Sequence, residues 1–368
     1  MRHLWHITIW FVFSLAAVFL ITLRLAGSAD VLKHAAAVKP YAPIFQTATT
    51  LRAASPRPET LLLFFGDSSV AQPPWASEDS RGIPALLEEA LRKYHPELLP
   101  LSVMDWSFAG GRPFHYYCLS FEAKRHDPAL LIIPVNWRAL GAIAPAWNEK
   151  FPFPELSASV PFHERATLRG DTIFRLENIS KSDHILAFFL RPVLYLRGLR
   201  LWVRTELGME TDETSEKKVI PLSEAKLIIG RFSDRRLFRQ YANVIENDNP
   251  QLVVLRELAD ASSRRGIHVL FYITPIHLQE MRRREGFRPE QFQASLERVT
   301  LALRGDTSYC LDLSGLLGEE DFIDNFEHYT PAGNRKIAHA LAAAVIESVG
   351  KSAMDRSLHL CREEAPPN

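Results

Sequence analysis

Four short stretches carry residue types suited to acyl chemistry, and they follow one another in a fixed order. In LLLFFGDSSVAQ (61–72) an apolar run ends in Gly66-Asp67-Ser68-Ser69, a small polar turn with two hydroxyls. A serine seated where a strand gives way to a helix has its own N–H, and the positive end of the helix dipole, aimed at whatever binds there. The same tripeptide also occurs in ordinary turns, so the other stretches must decide. Asp105-Trp-Ser-Phe-Ala-Gly110-Gly111 closes a second apolar run. Paired glycines there either bring a backbone N–H close to a ligand or serve a tight turn. Pro134-Val-Asn136-Trp-Arg ends a third run, where an Asn amide either donates to a developing oxyanion or caps the next element. Last, Asp321-Phe-Ile-Asp324-Asn-Phe-Glu-His328 puts carboxylates and a histidine in one loop before the final helix. His328 there suits a general base for Ser68, with Asp324 fixing its tautomer.

These motifs need elements to position them. Strand-like runs occupy 60–65, 98–106, 129–137 and 268–275, and helical spacing covers Pro84–Tyr94, Gln251–Arg265 and Gly333–Val349. Continuous apolar strands alternating with helices predict an α/β fold, a three-layer α/β/α sandwich around a mostly parallel sheet. In such a sheet chemistry gathers beyond the carboxyl ends of the strands, which is where the first three motifs fall.

The bulk properties narrow the function. Lys plus Arg equals Asp plus Glu at 43 each, so the formal charge is zero and no basic field points to nucleic acid. Nothing matches a phosphate-binding Gly-Lys loop, a dinucleotide fingerprint or a His-Glu-x-x-His metal site. An uncharged run from Ile7 to Leu23, closed by Arg24, is long enough with Leu4 and Trp5 to cross a ~30 Å bilayer core as a helix. The alternative is a signal peptide cleaved near Gly27-Ser28-Ala29; the length of the run and the place of Arg24 favour a retained anchor. The expected layout is an anchor over 4–24, a tether over 25–58, a catalytic domain from 59–145 and 250–352, an insertion over 146–249 and a tail over 353–368. Long domains translocate largely regardless of flanking charge, so the domain is expected on the extracytoplasmic, periplasmic side. The insertion carries HILAFFLRPVLYLRGLRLWVRTEL with Arg191, Arg197, Arg200 and Arg204. That segment either rests on a membrane or partner surface or forms a cap helix with snorkelling arginines. Cys310 and Cys361 either pair, leaving Cys118, or all three cysteines are unpaired thiols.

The order of a Ser turn, a Gly turn, a strand-end Asn and a late Asp/His loop resembles the SGNH hydrolase superfamily, also called GDSL esterases and lipases. The resemblance covers residues 60–140 and 250–350. It implies Ser68 as nucleophile and His328 and Asp324 as the other catalytic groups. The N–H groups of Ser68 and Gly110 and the Asn136 amide would form the oxyanion hole, and no cofactor is needed. Three features depart from the family pattern. The third block is Pro-Val-Asn-Trp, the second has Asp105 where Asn is common, and Asp324 lies four residues before His328 instead of three. Either a bulge restores the last geometry, or Glu327 takes the role, or the pairing is weakened. FFGDSSV and IIPVNWRAL are similar to the membrane-anchored cell-envelope branch, whose members attach or remove O-acyl groups on exported polysaccharides; proteins of teichoic acid D-alanylation are similar in layout. That branch implies an acylated donor, a glycan acceptor and a membrane-bound O-acyltransferase as partners. His115, Tyr116 and Tyr117 after the glycine turn either line the pocket or belong to a core helix. Two rival expectations use the same fold: an anchored or secreted esterase or lipase that ends at water, and a non-catalytic envelope assembly module.

Overall fold

The computed structural model of the chain describes residues 60–67, 69–70, 81–98, 100–108, 111–141, 154–176, 179–185, 241–324 and 327–363. The chain divides into two compact units. One comprises Met1–Ser55, Phe153–Ala158 and Ser180–Glu216, and its described part includes a helical turn capped reciprocally by Ser180 and Asp183. The other comprises Pro56–Pro152, Ser159–Ile179 and Lys217–Asn368 and holds the sheet. The expected anchor over 4–24 and most of the tether and insertion lie outside the described residues. No helix among those described is long and apolar enough to cross a membrane.

Among the described residues, five parallel strands form the sheet: β1 (Thr60–Gly66), β2 (Leu101–Ser107), β3 (Leu130–Val135), β4 (His268–Ile273) and β5 (Ser308–Asp312), in the order β2-β1-β3-β4-β5. The unbroken apolar runs of β1, β3 and β4 are buried on both faces, as central parallel strands must be. β5 is an addition to the strands expected from the sequence. Between the strands run α1 (Ile83–Tyr94), α2 (Pro113–Ala123), α3 (Pro250–Ser263) and α4 (Pro289–Leu303), and α5 (Pro331–Glu363) closes the chain. α5 starts two residues before the expected helix and runs well past its expected end at Val349.

α1 buries Ile83, Leu86, Leu87, Ala90 and Leu91, one apolar stripe at helical spacing, against α5 and one face of the sheet. α2 packs on α3, and α3 on α4 and β4, over the opposite face. The three layers follow from handedness. The step from β1 to β2 goes one way along the sheet and every later step goes the other, so right-handed crossovers send α1 to one face and α2, α3 and α4 to the other. The reversal lies between β1 and β3. Their ladder stops at Phe64 and Ile132, while β3 stays paired with β4 as far as Val135. The carboxyl edge is thus unladdered at the switch point, the place where open α/β sheets bind ligands.

Cys310 is a buried free thiol on β5, and the side chain of Cys361, its candidate partner, lies outside the described part. Burial pushes this thiol up to about 12.

Candidate active site

The turn after β1 is built around a carboxylate. Asp67, 3% exposed, accepts the Ser69 N–H at 2.8 Å and the Ser69 hydroxyl at 2.6 Å on Oδ1. Its Oδ2 accepts from Asn136 Nδ2 at 3.0 Å, across the open seam between β1 and β3. One side chain therefore brackets Ser68 in sequence and ties that turn to the end of β3. Ser68 itself, the expected nucleophile, lies outside the described residues, as does Gly110.

Close approach explains two glycines here. A Cβ on Gly66 would lie 2.5 Å from Ser107 Oγ and 2.7 Å from Val70 Cβ, and one on Gly111 would lie 2.7 Å from the Gly66 carbonyl oxygen. Both contacts are closer than carbon tolerates, so the turns after β1 and β2 touch only because neither residue has a side chain. Asp105 folds back on its own turn, accepting the Ser107 N–H at 2.8 Å.

Asn136 caps the short helix Trp137–Gly141, its Oδ1 accepting the Arg138 N–H at 2.9 Å. Its amide nitrogen has two hydrogens, of which Asp67 takes one. The side-chain oxygen therefore serves the cap, and the amide nitrogen serves Asp67.

The loop after β5 brings Asp324 and His328 together. Asp324 Oδ1 accepts the N–H groups of Glu327 and His328 at 2.8 and 3.0 Å, and Oδ2 lies 2.5 Å from His328 Nδ1. Across the loop mouth, Ile323 N–H donates to the His328 carbonyl at 2.8 Å, and Phe322 bridges Tyr329. The four-residue interval closes because the carboxylate gathers the backbone around itself before it meets the ring. With Nδ1–H donating to a carboxylate, Nε2 is the basic nitrogen. Burial lowers the His328 pKa, but the hydrogen bond and charge of Asp324, with the charge of Glu327, outweigh it and raise the value above 6.5.

Glu327, the alternative partner, turns to other residues. It is 2% exposed, accepts from the Tyr241 hydroxyl at 2.5 Å on Oε2, and stands 2.8 Å from Arg138 Nη2 through Oε1. The Arg138 approach is a charge contact without hydrogen-bond alignment. Burial raises the Glu327 pKa and Asp67 adds to the rise, against Arg138, His328 and Tyr241. Arg138 feels Glu327, Asp67 and Asp324 together and is held firmly protonated. The contacts Asp67–Asn136, Asn136–Arg138 and Arg138–Glu327 place the β1 turn, the end of β3 and the His328 loop in one locality.

Buried tyrosines line the same locality. Tyr116 on α2, Tyr272 on β4 and Tyr329 all have pKa values raised well above the ordinary one, by burial first and by the Asp67 charge among the further causes. Tyr329 also donates to the Pro275 carbonyl at 3.0 Å. α2 is buried along its whole length, so the core-helix reading of residues 115–117 holds. His115 serves it as a cap, Nδ1 accepting the Arg112 N–H at 3.1 Å, and burial lowers its pKa to about 3. Arg138, Tyr241 and Tyr272 were not singled out by sequence. Arg138 directly follows the Asn-Trp pair, whereas nothing local to Tyr241 marks it. Among the described residues, no group of three or more His, Cys, Asp and Glu is arranged to hold a metal ion.

No protein-family model matches the sequence, and no curated protein matches it significantly. Among solved structures, the chain is similar to LAE5, an alpha/beta hydrolase enzyme from the metagenome of Lake Arreo, Spain. The identity is 12% over 80% of this chain and 96% of that chain, with a TM-score of 0.36.

Proposed function

We propose that the chain is a serine-dependent acyl-transfer enzyme of SGNH type acting on cell-envelope glycans. The observation that carries the reading is the hydrogen-bonded Asp324–His328 pair, in one locality with the Asp67–Asn136 link at the switch point of the sheet. His328 Nε2 takes the proton of Ser68 as Oγ attacks an ester or thioester carbonyl. The N–H groups of Ser68 and Gly110 and the second Asn136 amide hydrogen receive the oxyanion. His328 returns the proton to the leaving group. A sugar hydroxyl then gives its proton to His328 as its oxygen attacks the acyl-Ser68 carbonyl, and the Oγ–acyl bond breaks with that proton passing to Ser68 Oγ. Water in place of the sugar gives an esterase with the same residues. The apolar run at 4–24 would anchor the chain, with the domain on the extracytoplasmic side beside a membrane-bound O-acyltransferase that supplies acyl groups.

Intact-protein mass spectrometry of the full chain after exposure to a fluorophosphonate tests the assignment. One adduct is expected on the wild type, none on Ser68→Ala, and slow formation on His328→Ala. A folded wild type that forms no adduct would overturn the nucleophile and favour a non-catalytic envelope module.

A further inference from the structure

The two sides of the site are joined by Arg138, beside the Asn-Trp pair, and Glu327, beside His328, with Tyr241 from outside the motifs. Arg138 touches both: its N–H donates to Asn136 Oδ1 at 2.9 Å, and its Nη2 stands 2.8 Å from Oε1 of Glu327, the neighbour of His328. Tyr241 fixes the other Glu327 oxygen at 2.5 Å. The short helix that carries Arg138 is itself immobilised. Trp137 is fully buried with its ring 4.8 Å from Phe292, Asn243 Nδ2 donates to the Gly141 carbonyl at 2.5 Å, and Asn249 Nδ2 donates to the Leu140 carbonyl at 2.8 Å. The Glu327 side chain is 2% exposed and that of Arg138 25%. A buried ion pair adds little stability over an apolar pair of the same shape, yet separating it is costly because each charge left alone stays desolvated. Such a contact resists a change of distance, which suits a spacer better than a source of stability.

We propose that Arg138 and Glu327 are positioning residues: their ion pair, backed by Tyr241, spaces the His328 loop from Asn136 so that base and oxyanion donor form one rigid unit. The proposal rests on the acyl-transfer reading above. The charged groups acting on His328 are Asp324 and Glu327 from its own loop and Arg138 from the helix after β3, and Glu327 and Arg138 act with opposite signs.

The test uses the full chain as wild type, Glu327→Gln, and the double variant Arg138→Met/Glu327→Gln. Two readouts are taken: the His328 titration by NMR of ¹³Cε1-labelled histidine, assigned with His328→Gln, and the rate of fluorophosphonate adduct formation well above each protein's own His328 midpoint. In Glu327→Gln the new amide keeps an acceptor for Tyr241 and leaves the Arg138 charge without its main partner. His328 should then titrate at lower pH, and labelling should slow roughly 10- to 100-fold, the scale of a misplaced catalytic group. The double variant strands no charge, so it should fold and return the His328 titration toward wild type. Its labelling should stay slow, because the spacer is gone. Wild-type labelling by the double variant would overturn the proposal, since the pair would then act through charge alone. So would Glu327→Gln with both readouts unchanged. If the wild type never labels, the acyl-transfer reading fails and the proposal fails with it; if the wild type labels and the double variant keeps pace, only the proposal fails.

Discussion

Asp324→Asn separates the charge of this carboxylate from its place in the loop. Oδ1 accepts the Glu327 and His328 N–H groups at 2.8 and 3.0 Å, and an Asn carbonyl oxygen retains both bonds. Oδ2, 2.5 Å from His328 Nδ1, is replaced by an NH2 group. The imidazole must then turn a bare Nδ1 to that donor and carry its proton on Nε2, the nitrogen that the proposed mechanism needs to accept from Ser68. Loss of the base in this way lowers the rate roughly 10²- to 10⁴-fold. That corresponds to about 2.7–5.4 kcal/mol of transition-state stabilisation, at about 1.36 kcal/mol per tenfold. The pH dependence moves as well. In the wild type burial lowers the His328 pKa, but the bond and charge of Asp324 prevail and hold it above 6.5. A base must be neutral to act, so wild-type labelling should climb along an acid limb centred above pH 6.5. In Asp324→Asn burial is the largest remaining influence, and the limb should move to lower pH. The assay is the second-order rate of fluorophosphonate adduct formation on the full chain over roughly pH 5 to 9. Labelling at the wild-type rate with an unmoved limb would refute the reasoning, because the pair would then serve only to fold the loop.

Three further outcomes follow from the same geometry. Gly66→Ala forces a Cβ to within 2.5 Å of Ser107 Oγ and 2.7 Å of Val70 Cβ, and should lower stability by about 1–3 kcal/mol in urea denaturation. Asp67→Asn keeps the Ser69 bonds on its oxygen but sets NH2 against the Asn136 NH2; about 1–3 kcal/mol of stability should go, with slower labelling, read by thermal melting and mass spectrometry. His328 has a folded-state pKa above its unfolded value, so its protonation stabilises the fold fully below about pH 6.5, and this is lost as pH rises through the folded value. The wild-type melting temperature should therefore fall over that window more steeply than that of His328→Gln, and equal slopes would contradict the raised pKa.

The sequence made the centre of the sheet legible and its margins less so. β1, β3 and β4 announce themselves because burial on both faces demands unbroken apolar runs. β5, SYCLD, was missed because an edge strand of five residues alternates in burial and follows a polar turn. α2 shows no helical period for the opposite reason, since a helix buried all round has no polar face, and only its aromatic run after the glycine turn suggested a core helix. At the site, Asp324 and His328 could be read because both chemical types share one loop. The closing of that loop could not, since it depends on a carboxylate oxygen collecting two backbone N–H groups. Asp67 was visible only as part of a turn; its bond to Asn136 joins residues 69 positions apart and leaves no local trace. Arg138 and Tyr241 were hidden for the same reason, their partner lying on a distant loop.

The hydrogen bond from Asn243 to the Gly141 carbonyl joins positions 102 residues apart at 2.5 Å. The chain that departs beside the site therefore comes back to its point of departure before α3 begins. The described residues of the 159–179 stretch in between pack back on the framework, with Phe174 edge to face on Phe114 at 5.4 Å and Arg169 paired with Glu257 and Asp260. Residues added between those two ends, away from these contacts, would cost the framework little, since doubling a flexible loop costs only about 0.6 kcal/mol in closure entropy. Such an arrangement lets the sheet take up added length between two adjacent ends without re-registering a strand.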